Sequence, residues 1–152
     1  MSAAFLILET GQPVAPMRRH GSFAHWIRVA AGLQRDEAVV VDVEGGDALP
    51  SRDGFAGVIV TGSAAMVTDR HDWSETSAAW LREAAHGGTP LLGICYGHQL
   101  LAHALGGEVG NNPNGREMGA VQVERTPAAQ DDPLFAGLPD RFRAQATHLQ
   151  SV

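Results

Sequence analysis

Pro90-Leu91-Leu92-Gly93-Ile94-Cys95-Tyr96-Gly97-His98-Gln99-Leu100-Leu101-Ala102-His103-Ala104-Leu105-Gly106-Gly107 is the stretch on which the fold turns. It opens with a short apolar run, bends at Gly93-Ile94-Cys95-Tyr96-Gly97 and continues with helical periodicity. Leu100, Leu101, Ala104 and Leu105 fall at i, i+1, i+4 and i+5, an apolar stripe for one helix face. Gly106-Gly107 then stops the helix, as glycine does where the backbone must turn left-handed. Strand, Gly-x-Cys-x-Gly and helix in succession form a nucleophile elbow with Cys in the serine position. Glycines at 93 and 97 suit a strand-to-helix turn too tight for β-carbons. Cys95 would stand at the helix N-terminus, where the positive end of the dipole favours a thiolate. A lone Cys is more often an inert, buried small hydrophobe. The flanking glycines, strand and helix tip this one toward chemistry.

Working outward, strands and helices alternate. Ala3 to Leu8 is a continuous apolar run, as expected of a parallel strand covered on both faces. Gly11 to Gly21, with Pro13 and Pro16, reads as a loop. Phe23, Trp26, Ile27 and Ala30 recur at helical spacing up to Gly32. Ala38 to Val43 is a second buried strand, and Gly57 to Thr61 a third that ends in Gly62-Ser63. Ser74 to Ala85 predicts a helix buried through Ala78, Leu81, Ala84 and Ala85, with Trp80 on its flank. Beyond Gly107 the pattern shortens to antiparallel strands around Glu108-Val109 and Ala120 to Val123. Asp131-Asp132-Pro133 opens a turn carrying Leu134 and Phe135, and Phe142 to Ala146 is one more strand. The alternation predicts a doubly wound, mostly parallel α/β sheet of flavodoxin-like type, with a short antiparallel excursion after about residue 107. No repeat or linker divides the 152 residues, which read as a single domain.

Composition narrows the function. With 44% hydrophobic and 18% charged residues the chain is globular rather than disordered. A net charge of −6 argues against nucleic acid as a partner, which would need clustered basic residues. No leader and no apolar run of about 18 residues points to a membrane. One Cys precludes an internal disulfide and suits a reduced, cytoplasmic setting. The 11 basic residues are all Arg, so a Schiff-base lysine and a Walker-type phosphate loop are excluded. No His-x-x-x-His or Cys-x-x-Cys spacing suggests a metal, and none is expected.

In a doubly wound sheet, chemistry sits at the carboxyl ends of the strands, near the point where strand order reverses. The loop after Leu8, the Gly62-Ser63 turn and Cys95 all fall there. Thiolate attack on a carbonyl needs donors aimed at the developing oxyanion. The Tyr96 backbone N–H is the natural first donor, and one from Gly62-Ser63 the second. For a base, His98 at i+3 points along the helix and reads as packing. His103 is too far along it to reach the sulfur, while His20, His25, His71 and His86 read as solvated. His148 follows a strand and belongs at a carboxyl edge.

Gly93 to Ala102 followed by Leu105-Gly106-Gly107 resembles the nucleophile segment of class I, triad-type glutamine amidotransferases, nearest the amidotransferase domain of GMP synthase. Val58 to Ser63 stands where that family has its oxyanion turn. Gly115-Arg116-Glu117-Met118-Gly119 is similar to its Arg-Glu-x-Gly element, and Thr147 to Val152 to its Ser-His-x-Asp-x-Val strand end. The resemblance implies hydrolysis of the glutamine side-chain amide through a γ-glutamyl thioester on Cys95, with ammonia passed to an acceptor. Ser63 and Tyr96 would supply the oxyanion N–H groups. Gln99, one helical turn beyond Cys95, would bind the substrate L-glutamine, and Thr147, His148, Leu149 and Gln150 would contact its amino-acid head. No cofactor is implied. A synthetase or acceptor enzyme is the implied partner, and a homo-oligomer is compatible. The oxyanion turn departs from the family at Ser63-Ala64, where Gly-Pro is usual, and the terminal motif at Gln150, where Asp is usual. The family's base is a His followed two residues later by Glu, after this last strand. The sequence stops before it and reads as the front part of such a domain. The alternatives are a catalytically incomplete binding module of the same fold, or a Cys-dependent γ-glutamyl hydrolase.

Overall fold

The computed structural model describes residues 4–152, in two compact units. The first comprises the chain up to Gly110 together with Gln150–Val152, and the second comprises Asn111–Leu149.

The first unit is built on a parallel sheet of β1 (Phe5–Glu9), β2 (Ala38–Asp42), β3 (Gly57–Val60) and β4 (Leu91–Gly93) in the order β2-β1-β3-β4. This is the flavodoxin-like order, with its reversal between β1 and β3. The expected doubly wound, mostly parallel class is therefore present, although Ala3 lies outside the described residues. Leu6, Leu8, Val58 and Val60 are completely or almost completely buried, as strands covered on both faces require. Registers align Leu8 with Val60 and Val60 with Gly93, so β1, β3 and β4 end level.

Helix α1 (Phe23–Ala30) crosses over from β1 to β2 and α2 (Asp72–His86) from β3 to β4, while α3 (Tyr96–Ala104) follows β4. Ser22 caps α1, its hydroxyl accepting the His25 N–H at 3.2 Å. The buried Glu9 at the end of β1 adds a carboxylate to the same helix end, accepting the Ala24 N–H at 2.8 Å. Its second oxygen accepts from the Gln12 amide at 2.9 Å. One side chain thus ties the sheet to its first crossover.

Helix α2 packs Ala78, Leu81 and Ala84 into the core beside Leu100 and Ala104 of α3. Burying a side chain such as Leu81 or Leu100 contributes about 1.5–3 kcal/mol each. At the end of α3, Gly106 takes a φ of +90° and Gly107 donates to the Ala102 carbonyl at 2.8 Å, closing the helix as its two glycines predict.

Several expectations are corrected. Trp80 is not on the flank of α2 but buried, its indole N–H donating to the Pro50 carbonyl at 2.8 Å. Leu105, expected on the apolar stripe, is exposed beyond the last turn of α3. Val39 and Val40 of β2 are 43% and 45% exposed, because β2 is an edge strand of the described sheet. The loop before α1 contains a 3-10 turn at Ala15–His20. The short strand expected at Glu108-Val109 lies one step on, as β5 (Gly110–Asn111).

The second unit is an antiparallel ribbon of β6 (Glu117–Glu124) and β7 (Arg141–His148), longer than the patterns at 120–123 and 142–146 suggest. Pairing runs from Glu117 opposite His148 to Glu124 opposite Arg141. At its far end Arg125 donates to Asp140 at 2.6 Å. At its near end the His148 imidazole and the Glu117 carboxylate are 2.6 Å apart. The last strand, β8 (Gln150–Ser151), belongs to the first unit.

Candidate active site

Cys95 is the residue between β4 and α3, and its backbone has φ 55° and ψ −109°. That is the mirror image of an ordinary extended conformation. It is open to glycine but disfavoured for a residue with a β-carbon. Only Arg70 shares a positive φ among the described non-glycine residues, and Arg70, at ψ 43°, sits in the common left-handed well. The strain at Cys95 is thus particular to the elbow, where such outliers mark a functional turn.

The surroundings hold this conformation in place. The Ile94 N–H donates to the Val60 carbonyl at 3.0 Å, and the Gly97 N–H to the Thr61 carbonyl at 3.1 Å. A β-carbon at Gly93 would collide with the Gly97 carbonyl, and one at Gly97 with the Val60 carbonyl. Backbone meets backbone at both places, so neither glycine has a substitute. The sequence reading of the two glycines is correct, and the obstacle at Gly97 is the neighbouring strand.

Cys95 is exposed at this turn, whereas the side chain that follows it is deeply anchored. The Tyr96 ring is buried and its hydroxyl lies 2.6 Å from the Ser74 Oγ on α2. Burial pushes the Tyr96 phenol up from its ordinary value. The Ser74 hydrogen bond opposes this, and the carboxylates of Glu75, Asp69 and Glu44 reinforce it. Trp73 packs against Tyr96 at 5.7 Å between ring centroids and stacks on His71 at 6.0 Å. These contacts immobilise the peptide carrying the Tyr96 N–H.

The Gly62-Ser63 turn lies against Cys95. A β-carbon on Gly62 would stand 3.6 Å from the Cys95 Cβ, in ordinary contact. The turn is braced from β1. Thr10 and Thr61, both fully buried, bond to each other and to the Gly62 carbonyl. The Ser63 hydroxyl accepts the Ala65 N–H at 3.0 Å, so the side chain stabilises the turn and leaves the backbone to face the site. Among the described residues the Ser63 N–H donates to no protein acceptor. Thr10, Gly62 and Cys95 stand two residues beyond Leu8, Val60 and Gly93, the aligned row of β1, β3 and β4. The sheet register brings them together at the expected carboxyl edge.

Gln99 is buried, and its amide N–H donates to the Gln150 carbonyl at 2.8 Å. Gln150, buried as well, donates through its own amide to the Thr68 hydroxyl at 2.8 Å. The Gln99 amide N–H, expected to face the crevice, is therefore used to seat β8 against α3. Thr147, His148 and Leu149 fall in the second unit, Thr147 opposite Met118 and the Leu149 carbonyl accepting from Asn112 at 2.9 Å. His103, set aside as too distant from the sulfur, lies 2.9 Å from Glu75 on α2. Sequence reasoning missed Glu9, Thr10, Thr61, Thr68 and Ser74. Threonine at a strand end looks like ordinary loop chemistry until the register of two strands is known.

The glutamine amidotransferase class-I family model matches residues 19–152. The chain belongs to that family. A glutamine-hydrolyzing GMP synthase of Aeropyrum pernix is 44% identical over 108 residues, 70% of this chain and 19% of that protein. A subunit of the glutamine-hydrolyzing GMP synthase of Methanoculleus marisnigri is 30% identical over 140 residues, 92% of this chain and 68% of that protein. The chain thus spans about a fifth of the first relative and about two thirds of the second. Among solved structures, a glutamine amidotransferase of Thermotoga maritima superposes with a TM-score of 0.77 at 21% identity, over 99% of this chain and 63% of that one. One from Methylobacillus flagellatus gives the same TM-score at 23% identity, over 99% and 57%. These likenesses carry the amidotransferase fold over the described chain. Among the described residues no helix is long and apolar enough to cross a membrane.

Proposed function

We propose that this chain hydrolyses the side-chain amide of glutamine through a thioester on Cys95 and delivers the ammonia to an acceptor. The observation that carries this reading is the strained backbone of Cys95, held at φ 55° beside the Gly62-Ser63 turn. Backbone strain at an exposed thiol, in a family of glutamine amidotransferases, supports reading Cys95 as a nucleophile positioned for attack. The sulfur adds to the amide carbon, and the carbonyl oxygen becomes an oxyanion facing the Ser63 and Tyr96 N–H groups. Collapse breaks the C–N bond, and the nitrogen leaves as ammonia once protonated. Water then hydrolyses the γ-glutamyl thioester to glutamate. We place the proton transfers on the His-x-Glu pair that the family carries after the strand ending near Val152.

Thr147, His148, Leu149 and Gln150 are proposed to contact the amino-acid head of glutamine. Gln99 acts there by holding Gln150 through its carbonyl. The GMP synthase relatives, one a whole synthase and the other a synthase subunit, support a nucleotide-aminating synthetase as consumer of the ammonia. That synthetase would be a separate chain or a further segment. A cytoplasmic setting accords with the single Cys.

The test is glutamate release from glutamine by a product carrying the His-x-Glu pair, beside its Cys95→Ala variant and the 152-residue chain. Release abolished by Cys95→Ala is the expected result. Release that survives the substitution overturns the reading. No release from any product favours the binding-module alternative.

A further inference from the structure

We propose that Thr10 is a positioning residue of this site, setting the direction of the Ser63 N–H by holding the Gly62 carbonyl. The inference rests on reading the site as an acyl-transfer centre with Ser63 as an oxyanion donor. Nothing in the sequence marks Thr10, which follows β1 and never approaches Cys95 along the chain.

The argument begins with two hydroxyls. The Thr61 hydroxyl accepts the Thr10 N–H at 2.9 Å and donates to the Gly62 carbonyl at 3.0 Å. The single proton of the Thr10 hydroxyl is shared, donated to the Thr61 carbonyl at 2.8 Å and to the Gly62 carbonyl at 3.2 Å. Both side chains are fully buried, so no water competes for these bonds. The Gly62 carbonyl is therefore drawn toward β1.

No described peptide is cis, and across a trans peptide the C=O and N–H point in opposite directions. With its carbonyl held toward β1, the Gly62–Ser63 peptide presents the Ser63 N–H away from β1. In the order β1-β3-β4 that is the side of β4, whose end carries Cys95. An oxyanion donor is effective only when aimed at the site of the developing charge, and the aim here is set from the opposite side of the peptide.

A second observation bears on the same peptide independently. A β-carbon on Gly11 would stand 2.8 Å from the Ser63 Cα and 3.0 Å from its Cβ. The chain after β1 thus runs close against the Ser63 end of the turn, with no room for a side chain between them, while Thr10 holds the Gly62 end. Thr10-Gly11 is a clamp on one peptide bond.

The experiment uses a γ-(p-nitrophenyl) ester of glutamate as probe. Cys95 sulfur bonds to the ester carbonyl carbon, the C–O bond to the aryl group breaks, and p-nitrophenolate leaves with the electron pair. The nitrophenolate needs no proton, so acylation is measured without the general acid, yet it still passes through an oxyanion. Iodoacetamide alkylation of Cys95, a displacement at saturated carbon without an oxyanion, is measured in parallel. Thr10→Val is expected to slow the acylation burst by about tenfold to a hundredfold, less than removing a donor outright. Ester half-saturation and alkylation rate should stay within about twofold, and Thr10→Ser should restore the burst. Thermal unfolding of each variant is recorded beside the rates. A Thr10→Val burst equal to wild type overturns the proposal, as does a burst and an alkylation rate that fall together with the melting midpoint. A wild-type chain that alkylates but shows no burst overturns the acyl-transfer reading itself.

Discussion

Replacing Cys95 by glycine should make the protein more stable while abolishing its chemistry. The residue holds φ 55° and ψ −109°, a region that costs a non-glycine residue about 1–3 kcal/mol. Glycine enters that region without penalty, because it is the mirror image of a common extended conformation. Against this stands the greater freedom of glycine in the unfolded chain, about 0.5–1 kcal/mol. Cys95 is exposed, so little packing is lost. The net gain is about 1 kcal/mol, with about 2.5 as its ceiling. For a chain of this size each kcal/mol moves the midpoint by about 2–4 °C, so Cys95→Gly should melt several degrees above wild type. Cys95→Ala removes the sulfur but keeps the β-carbon and the strain, and should melt within about 2 °C of wild type. Thermal unfolding of the three proteins by circular dichroism measures the difference directly. A glycine variant no more stable than the alanine variant would refute the claim that the elbow stores strain.

Alanine at the neighbouring glycines should separate fold from function: Gly97→Ala meets the Val60 carbonyl and should cost about 3 kcal/mol or more in denaturant titration. Gly62→Ala meets the Cys95 Cβ at 3.6 Å and the Ile94 carbonyl oxygen at 3.9 Å, both ordinary contacts, so it should fold normally yet slow acylation of Cys95 by crowding the attacking side. Tyr96→Phe leaves the Ser74 hydroxyl without its 2.6 Å partner and should cost about 1–2 kcal/mol at neutral pH. Because burial raises the Tyr96 phenol, the unfolded phenol ionises first. Its stabilising contribution is complete below about pH 10 and is lost as pH rises through the folded value. A stability–pH profile for the Phe variant should show a shallower alkaline decline. Glu9→Gln removes the buried carboxylate that accepts the Ala24 N–H, and should lower stability by about 1–2 kcal/mol, read as a shifted midpoint with unchanged slope.

Much of the fold is legible in the sequence because three runs, 5–9, 57–60 and 91–93, are short, apolar and bounded by glycine or polar turns. Such runs have few alternatives to a buried parallel strand. The same logic overreaches at Val39-Val40, since an apolar run carries no mark of whether its strand lies inside the sheet or at its edge. Trp80 is misread for a different reason. Its indole N–H finds the Pro50 carbonyl, thirty residues away, and no local periodicity encodes that partner. At the site, Cys95 and its glycines are legible because their constraint is local, a turn with no room for β-carbons. The braces are not, because Thr10 and Thr61 are 51 residues apart and meet only when β1 and β3 pair.

This contrast bears on how the centre is built. Leu8, Val60 and Gly93 lie in one row across β1, β3 and β4, and Thr10, Gly62 and Cys95 each follow two residues later. A strand alternates its side chains with a period of two, so a slip of one residue in β3 would reverse its faces and displace Gly62 from Cys95. Because β3 is buried on both faces, such a slip would also exchange Val58 and Val60 with Ile59 between the two packed faces and break the close packing on each. The burial that fixes the register therefore fixes the site. Elbow strain of a few kcal/mol persists because relieving it would require moving strands held by a larger apolar term. The precision of the Cys95 centre is inherited from the packing of β1, β3 and β4, and the loops contribute only the last two residues of each strand's reach.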